Sequence, residues 1–367
     1  MLLSKIIAFV TNIGYTNVIT PEYLLLWFKR LSFYWTAFGI FLTCLQLFVI
    51  TKSRNYKTLI VLIIFMLFSG LDLFIGEKPH WSWHMPFSYL DNTYQLFYSY
   101  HIAVSVWLLT TLMMQKLHKI DYFGLLSVLY LFYCPMTIFC VGIFFPFYTI
   151  KEFMQAIKTS RLNEFWKNLI DIKNILAVCI LFPIVYLFFH SNYTSSHFSF
   201  YLKEPCRLAY QCIIFGVGIY LMAIAIKFYK NSLYYMIALV LLAFPFVAYK
   251  TDYDFMMRAT IPAIIILMIF VIKFLFIKDK NLKLLKYLLI TALFIGSISP
   301  LSMIFTMFGF WNSGLIQNER DNIITFQGKI TPDDKPTDDI FDFRNYASIN
   351  YEKYVFWKYL AKKRKGN

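Results

Sequence analysis

The segment FSGLDLFIGEKPHWSWHMPFSYLDNTYQ holds the densest group of side chains able to do chemistry in this chain. Asp72, Glu77, His80, His84 and Asp91 lie along it, with Trp81 and Trp83 between them. Carboxylates and imidazoles can move a proton to or from a hydroxyl, and the same groups can hold a divalent ion. Indole faces beside polar groups suit stacking on a sugar ring, although Trp also gathers at bilayer interfaces through its amphipathic ring alone. His80 and His84 are four residues apart, but Pro79 and Pro86 bracket them, so a helical ligand pair is not secured and no metal motif is complete. The cofactor stays open, with a divalent cation as one option.

Asp72 is the most informative of these residues. It stands inside an apolar run, close to one end, where an ionised group costs about 3 kcal/mol unless it faces a cavity or a partner. Two readings follow: a carboxylate at the interface with a structural partner, or a catalytic or metal-binding carboxylate at the mouth of a cavity. His101, in YSYHIAVSVW, also lies in an apolar run and is a candidate partner for Asp72. A second group sits in YKTDYDFMMRATIP, with Asp252, Asp254 and Arg258 at a helix start. An arginine beside a helix N-terminus suits a phosphate clamp. An internal Asp–Arg pair that neutralises charge fits the same residues.

The elements that must position these groups are membrane helices. Of 367 residues, 59% are hydrophobic and 15% charged, where soluble domains carry about 25% charged residues. Runs near the roughly 20 apolar residues needed to span a bilayer fall at 31–50, 58–76, 96–114, 175–191, 208–226, 233–248, 259–277 and 287–305. The stretch 122–150 is also apolar but contains Pro135 and Pro146, which favours two short helices folded as a hairpin over one straight span. A Pro-kinked pair of ordinary helices is the other reading. The expected fold is therefore all-α: a polytopic transmembrane bundle of about eight spans plus a Pro-broken hairpin. Residues 1–305 form this transmembrane domain, and residues 306–367 a small extracytoplasmic C-terminal cap.

The formal charge of +15 would suggest nucleic acid in a soluble protein, but here the lysines and arginines fall between apolar runs. One alternate set of loops holds Lys52, Arg54, Lys57, Lys116, Lys119, Lys151, Lys158, Arg161, Lys167, Lys173, Lys227, Lys230, Lys278, Lys280, Lys283 and Lys286. The other holds Lys78, Lys203, Arg207, Lys250 and Arg258. Sixteen against five makes the first set cytoplasmic by the positive-inside rule. It alternates without a break if 122–150 enters and leaves on one side. Both chemically dense groups then share the outer side. Nucleic acid is excluded as a partner, and membrane lipid is the expected one. Segment 151–174 mixes basic and apolar residues around Trp166 and reads as a helix lying on the cytoplasmic surface. A shorter interfacial helix is expected over 3–13. The outer N-terminus would also be explained by a helix upstream of this chain. The six cysteines form no CxxC pair and no framework in a polar loop.

The blocks FSGLD…NTYQLFYSYHIAVSVWLL and DFMMRATIPAIIILMIFV, with the closing FRNYASINYEKYVFWKYLAKK, resemble large polytopic bacterial membrane proteins of the GT-C glycosyltransferase and polysaccharide polymerase type. The resemblance implies a polyprenyl-phosphate-linked sugar as partner and an acidic base in an early outer loop. It would make Asp72 or Glu77 that base and Arg258 the holder of the donor phosphate. The paired acidic motif of that loop is incomplete here. The expectation is a transferase or polymerase for lipid-linked glycans at the outer face of a bacterial cytoplasmic membrane. Its rivals are a transporter or flippase of a lipid-linked or amphipathic substrate, and a non-catalytic membrane scaffold.

Overall fold

The computed structural model describes residues 21–71, 89, 91–117, 119–192, 200–202, 210, 213–249 and 254–313. The long apolar runs become helices because a backbone in lipid must satisfy its own hydrogen bonds. In chain order these are α1 (Pro21–Thr51), α2 (Tyr56–Leu67), α3 (Asn92–Lys116), α4 (Phe123–Tyr133), α5 (Ile138–Lys158) and α6 (Leu162–Leu169). After them come α7 (Ile172–Leu176), α8 (Phe182–Asn192), α9 (Ile219–Phe228), α10 (Ser232–Ala243), α11 (Asp254–Ala259), α12 (Ile261–Phe276), α13 (Lys283–Gly296) and α14 (Ile298–Ser313). Wide π turns over Ala177–Leu181 and Ile214–Gly218 lead into α8 and α9. A ribbon of two antiparallel strands, β1 (Phe200–Leu202) and β2 (Val247–Tyr249), pairs Tyr201 with Ala248. Among the described residues the remaining regular structure is helical.

Helix α12 is the axis of the bundle: 13 of its 16 residues are buried, as expected of a helix apolar on every face. It packs against α3, α9 and α10. The outer helices show the reverse distribution. Phe33, Tyr34, Trp35 and Phe38 on α1, and Leu284, Leu288 and Phe294 on α13, are exposed. Apolar faces of this extent belong against lipid. Four helical stretches, Arg30–Thr51, Pro135–Lys158, Leu162–Leu187 and Lys280–Phe305, are long and apolar enough to cross a membrane. The chain is a helical membrane protein.

Contacts gather the lysine-bearing connections at one end. Lys57 lies 5.0 Å from the ring centre of Phe276, and Lys227 pairs with Asp279 at 3.1 Å. Lys173 reaches Asp121 at 2.7 Å and covers the Tyr122 ring, which Lys116 also covers. Asn174, buried behind them, donates to Ile120 O and Leu169 O and accepts from Gly124 N. Both feet of the α4–α5 hairpin stand at this end, since Phe153 near the end of α5 packs on Phe165 of α6.

Five expectations about the elements need correction. The run 58–76 does not continue as one helix: α2 stops at Leu67, and residues 68–71 are irregular. The run 96–114 is not a straight span either. Ser99 leaves helical geometry at φ −142°, ψ 38°. Trp107 Nε1 donates to Gln95 Oε1 at 3.1 Å, whereas a straight helix would set those residues about 18 Å apart along its axis. Asn92 and Trp107 also both reach Phe65, so the first leg of α3 folds back beside the second. The break at Pro135 occurs as expected, with Cys134 O accepting from Thr137 N. Pro146, by contrast, interrupts nothing and sits inside α5. It faces outward, and Gly142 one turn earlier has open space beside it, so the carbonyl that the ring displaces can tilt away. Finally, 151–174 is not one surface helix. Its first eight residues prolong α5, a turn at Thr159–Ser160 follows, and α6 and the start of α7 are separate helices. At the other boundary α14 runs on to Ser313, past the expected edge at 305. The segments 3–13 and 314–367 lie outside the described residues.

Candidate functional site

Of the chemically dense segment, Asp72, Glu77, His80, Trp81, Trp83 and His84 lie outside the described residues, as does Asp252. Asp254 opens α11, with only its backbone described. The residues that remain are Asp91, His101 and Arg258.

Asp91 caps α3: its Oδ1 accepts from Tyr94 N at 2.7 Å. This satisfies one of the donors that every helix start leaves open. Asn92 and Thr93 follow at once and turn outward from α3 to bind α2. Asn92 Nδ2 donates to Phe65 O at 2.8 Å and Thr93 Oγ1 to Met66 O. These are two of the carbonyls that a helix end cannot pair internally. The early stop of α2 is therefore made good by side chains from the folded leg of α3. Asn92 Oδ1 is buried with no hydrogen-bond partner among the described residues.

Beyond α2, Ser69 O accepts from the hydroxyl of fully buried Tyr220 at 2.7 Å, and Leu71 N donates to Phe215 O. The three backbones meet closely here. A Cβ on Gly70 would lie 2.6 Å from Gly216 Cα, and one on Gly296 2.7 Å from Ser69 O. Ser69, Asn92, Thr93, Gln95 and Thr110 are thus polar residues buried within an apolar bundle.

Arg258 is half-buried near the end of α11. That short helix is anchored by Phe255, which packs on Phe139 at 5.4 Å and Phe244 at 5.7 Å. The charge of Arg258 acts on His101, just past the bend of α3, and on Cys134 at the tip of the α4–α5 hairpin. The short helix α11 and the hairpin tip therefore meet away from the lysine-bearing end. Asp91 does not share that level: it stands at the start of the first leg, on the far side of the bend from His101. Among the described residues no group of three or more His, Cys, Asp or Glu could hold a metal ion.

The feature that sequence reasoning missed is at the lysine-bearing end. A cavity of about 1060 Å³ opens between α2, the end of α12 and α13. Lys57, Lys278, Lys280, Lys283 and Lys286 line it together with an apolar wall. Asp279, the acid among them, is engaged by Lys227, whose ammonium holds its carboxyl below the ordinary range, helped by Asn281 N–H. The lysines had an adequate explanation as orientation signals. The neglected signal was their helical spacing with Ile290 and Phe294, which puts charge and grease on one stripe.

No family model, curated protein or solved structure matches this chain.

Proposed function

We propose that this chain is a membrane glycosyltransferase or polymerase acting on polyprenyl-phosphate-linked glycans at the outer face of a bacterial cytoplasmic membrane. In this reading Arg258 holds phosphate charge on the lipid-linked donor and stabilises it as the glycosidic bond to phosphate breaks. Asp72 or Glu77 takes the proton of the acceptor hydroxyl. Trp81 and Trp83 stack on sugar rings, and Asp254, with Asp252, His80 and His84, lines the same mouth. The observation that carries the reading is the packing of α11, which bears Arg258, on the hairpin tip through Phe255 and Phe139 at the end opposite the lysines. A half-buried guanidinium there is suited to an anionic group approaching from the bilayer surface.

The test is transfer of a radiolabelled sugar from a polyprenyl-phosphate donor by membranes containing the wild type, Arg258→Ala or Asp72→Ala. Each variant should abolish transfer at an unchanged yield of folded protein. Retained transfer in both would remove the mechanism.

One observation favours a transporter or flippase as the second reading. The interrupted α2 and the folded α3 place buried polar side chains within the helical bundle, as discontinuous helices do in transporters. Water access from both faces, read by cysteine labelling along 65–71 and 92–95, would favour transport; access from the outer face alone would favour the transferase.

A further inference from the structure

The cavity at the lysine-bearing end has the dimensions and charge of one leaflet of a membrane. Lys57, Ile60, Ile64 and Leu67 follow one another at helical spacing up α2, a stripe about 15 Å tall. Lys286, Ile290, Leu293 and Leu301 form the facing stripe along α13 into α14. Charge is confined to the lower rim of both. The wall height equals half of a hydrocarbon core about 30 Å thick. The rim lysines are held in place: Lys286 donates to Ile277 O, and Lys57 lies over the Phe276 ring. Asp279 is engaged by Lys227 and so leaves the positive charge of the rim largely intact.

We propose that this cavity binds an anionic membrane lipid, its phosphate headgroup among Lys57, Lys280, Lys283 and Lys286 and one hydrocarbon chain against Ile60, Ile290 and Phe294. A soluble phosphate would have no use for the apolar wall, and a zwitterionic lipid none for the lysines. A basic pocket between membrane helices is a recognised form of headgroup site. The positive-inside rule puts it in the cytoplasmic leaflet, away from the outer mouth, so it stands whether or not the transfer reaction does.

The experiment uses the full chain in mild detergent, with lipid retention counted by native mass spectrometry after exchange into mixed phosphatidylglycerol and phosphatidylcholine. The wild type should retain phosphatidylglycerol in preference, and 1 M salt should weaken that retention, since the screening length falls to about 3 Å. Lys280→Gln with Lys283→Gln, both exposed, should lower retention about 25-fold, at about fivefold per lysine. Ile290→Trp, which fills the wall and leaves the rim intact, should also lower it. Glycerol 3-phosphate should not displace the lipid. Equal retention of the two lipids, unchanged retention in the lysine variant or displacement by glycerol 3-phosphate would each overturn the proposal. The first two results would mean that another helix or a second copy of the chain covers the groove, and the third that the site reads phosphate alone.

Discussion

Replacing Tyr220 with Phe isolates what it costs to end a helix inside an apolar bundle. Ser69 lies beyond the end of α2, so its carbonyl has left the helical ladder, and the Tyr220 hydroxyl donates to it at 2.7 Å. The contact of the same hydroxyl with Ala292 O, at 3.4 Å, is too long to contribute much. An acceptor left unsatisfied in a buried site costs about 1–3 kcal/mol. Hydrogen bonds measured within membrane proteins reach about 1.7 kcal/mol at most, because the unfolded chain finds partners too. The two ranges overlap near 1.5 kcal/mol, which is the expected loss. Tyr234→Phe is the matched control: its hydroxyl donates to Leu221 O, a carbonyl inside α9 that already has a helical partner available. That loss should stay near the membrane average of about 0.6 kcal/mol. Unfolding of both variants in rising fractions of SDS, read by tyrosine and tryptophan fluorescence, gives the comparison. A Tyr220→Phe cost no larger than that of Tyr234→Phe would refute the idea that the α2 break depends on this donor.

Gly70→Ala meets backbone, with Gly216 Cα at 2.6 Å and Gly216 O at 2.9 Å, so neither neighbour can rotate away. The cost should be at the top of the overpacking range of about 1–3 kcal/mol, visible as a reduced monodisperse peak in detergent size exclusion. Asp279→Asn removes the pair with Lys227. The folded carboxyl sits below its ordinary value of 3.8, so its stabilisation is present above that value and is lost as pH falls through the lowered one. The difference in melting temperature between wild type and Asp279→Asn should therefore be constant well above 3.8 and shrink as pH falls below it through the lowered value. A difference that grows on acidification would contradict the pairing.

The membrane class, the positions of the helices and the gathering of lysines at one end were legible because hydropathy and loop charge act through composition alone. The break at Pro135 was legible for a local reason, the missing N–H. The stop of α2 at Leu67 and the bend at Ser99 were not. Neither has a proline, and their causes lie elsewhere in the chain: Asn92 on Phe65 O, Tyr220 on Ser69 O and Gln95 on Trp107. Pro146 misled because its effect depends on Gly142 and on which face meets open space. Asp254 does open a helix as its sequence suggests, but Arg258 falls in the last turn of that helix rather than at its start. The lysine-rimmed cavity was hidden by a sufficient simpler reason for the same residues.

The sheathing of α12 has a consequence for how the protein fits bilayers of different thickness. Sixteen residues rise about 24 Å, short of a hydrocarbon core near 30 Å. Exposed to acyl chains, such a rod would pinch the membrane around it. Because its neighbours cover it on all sides, lipid never registers the deficit. Adaptation to a thicker or thinner membrane falls to the peripheral rods, foremost the 31-residue α1, which can tilt while the axis keeps its length.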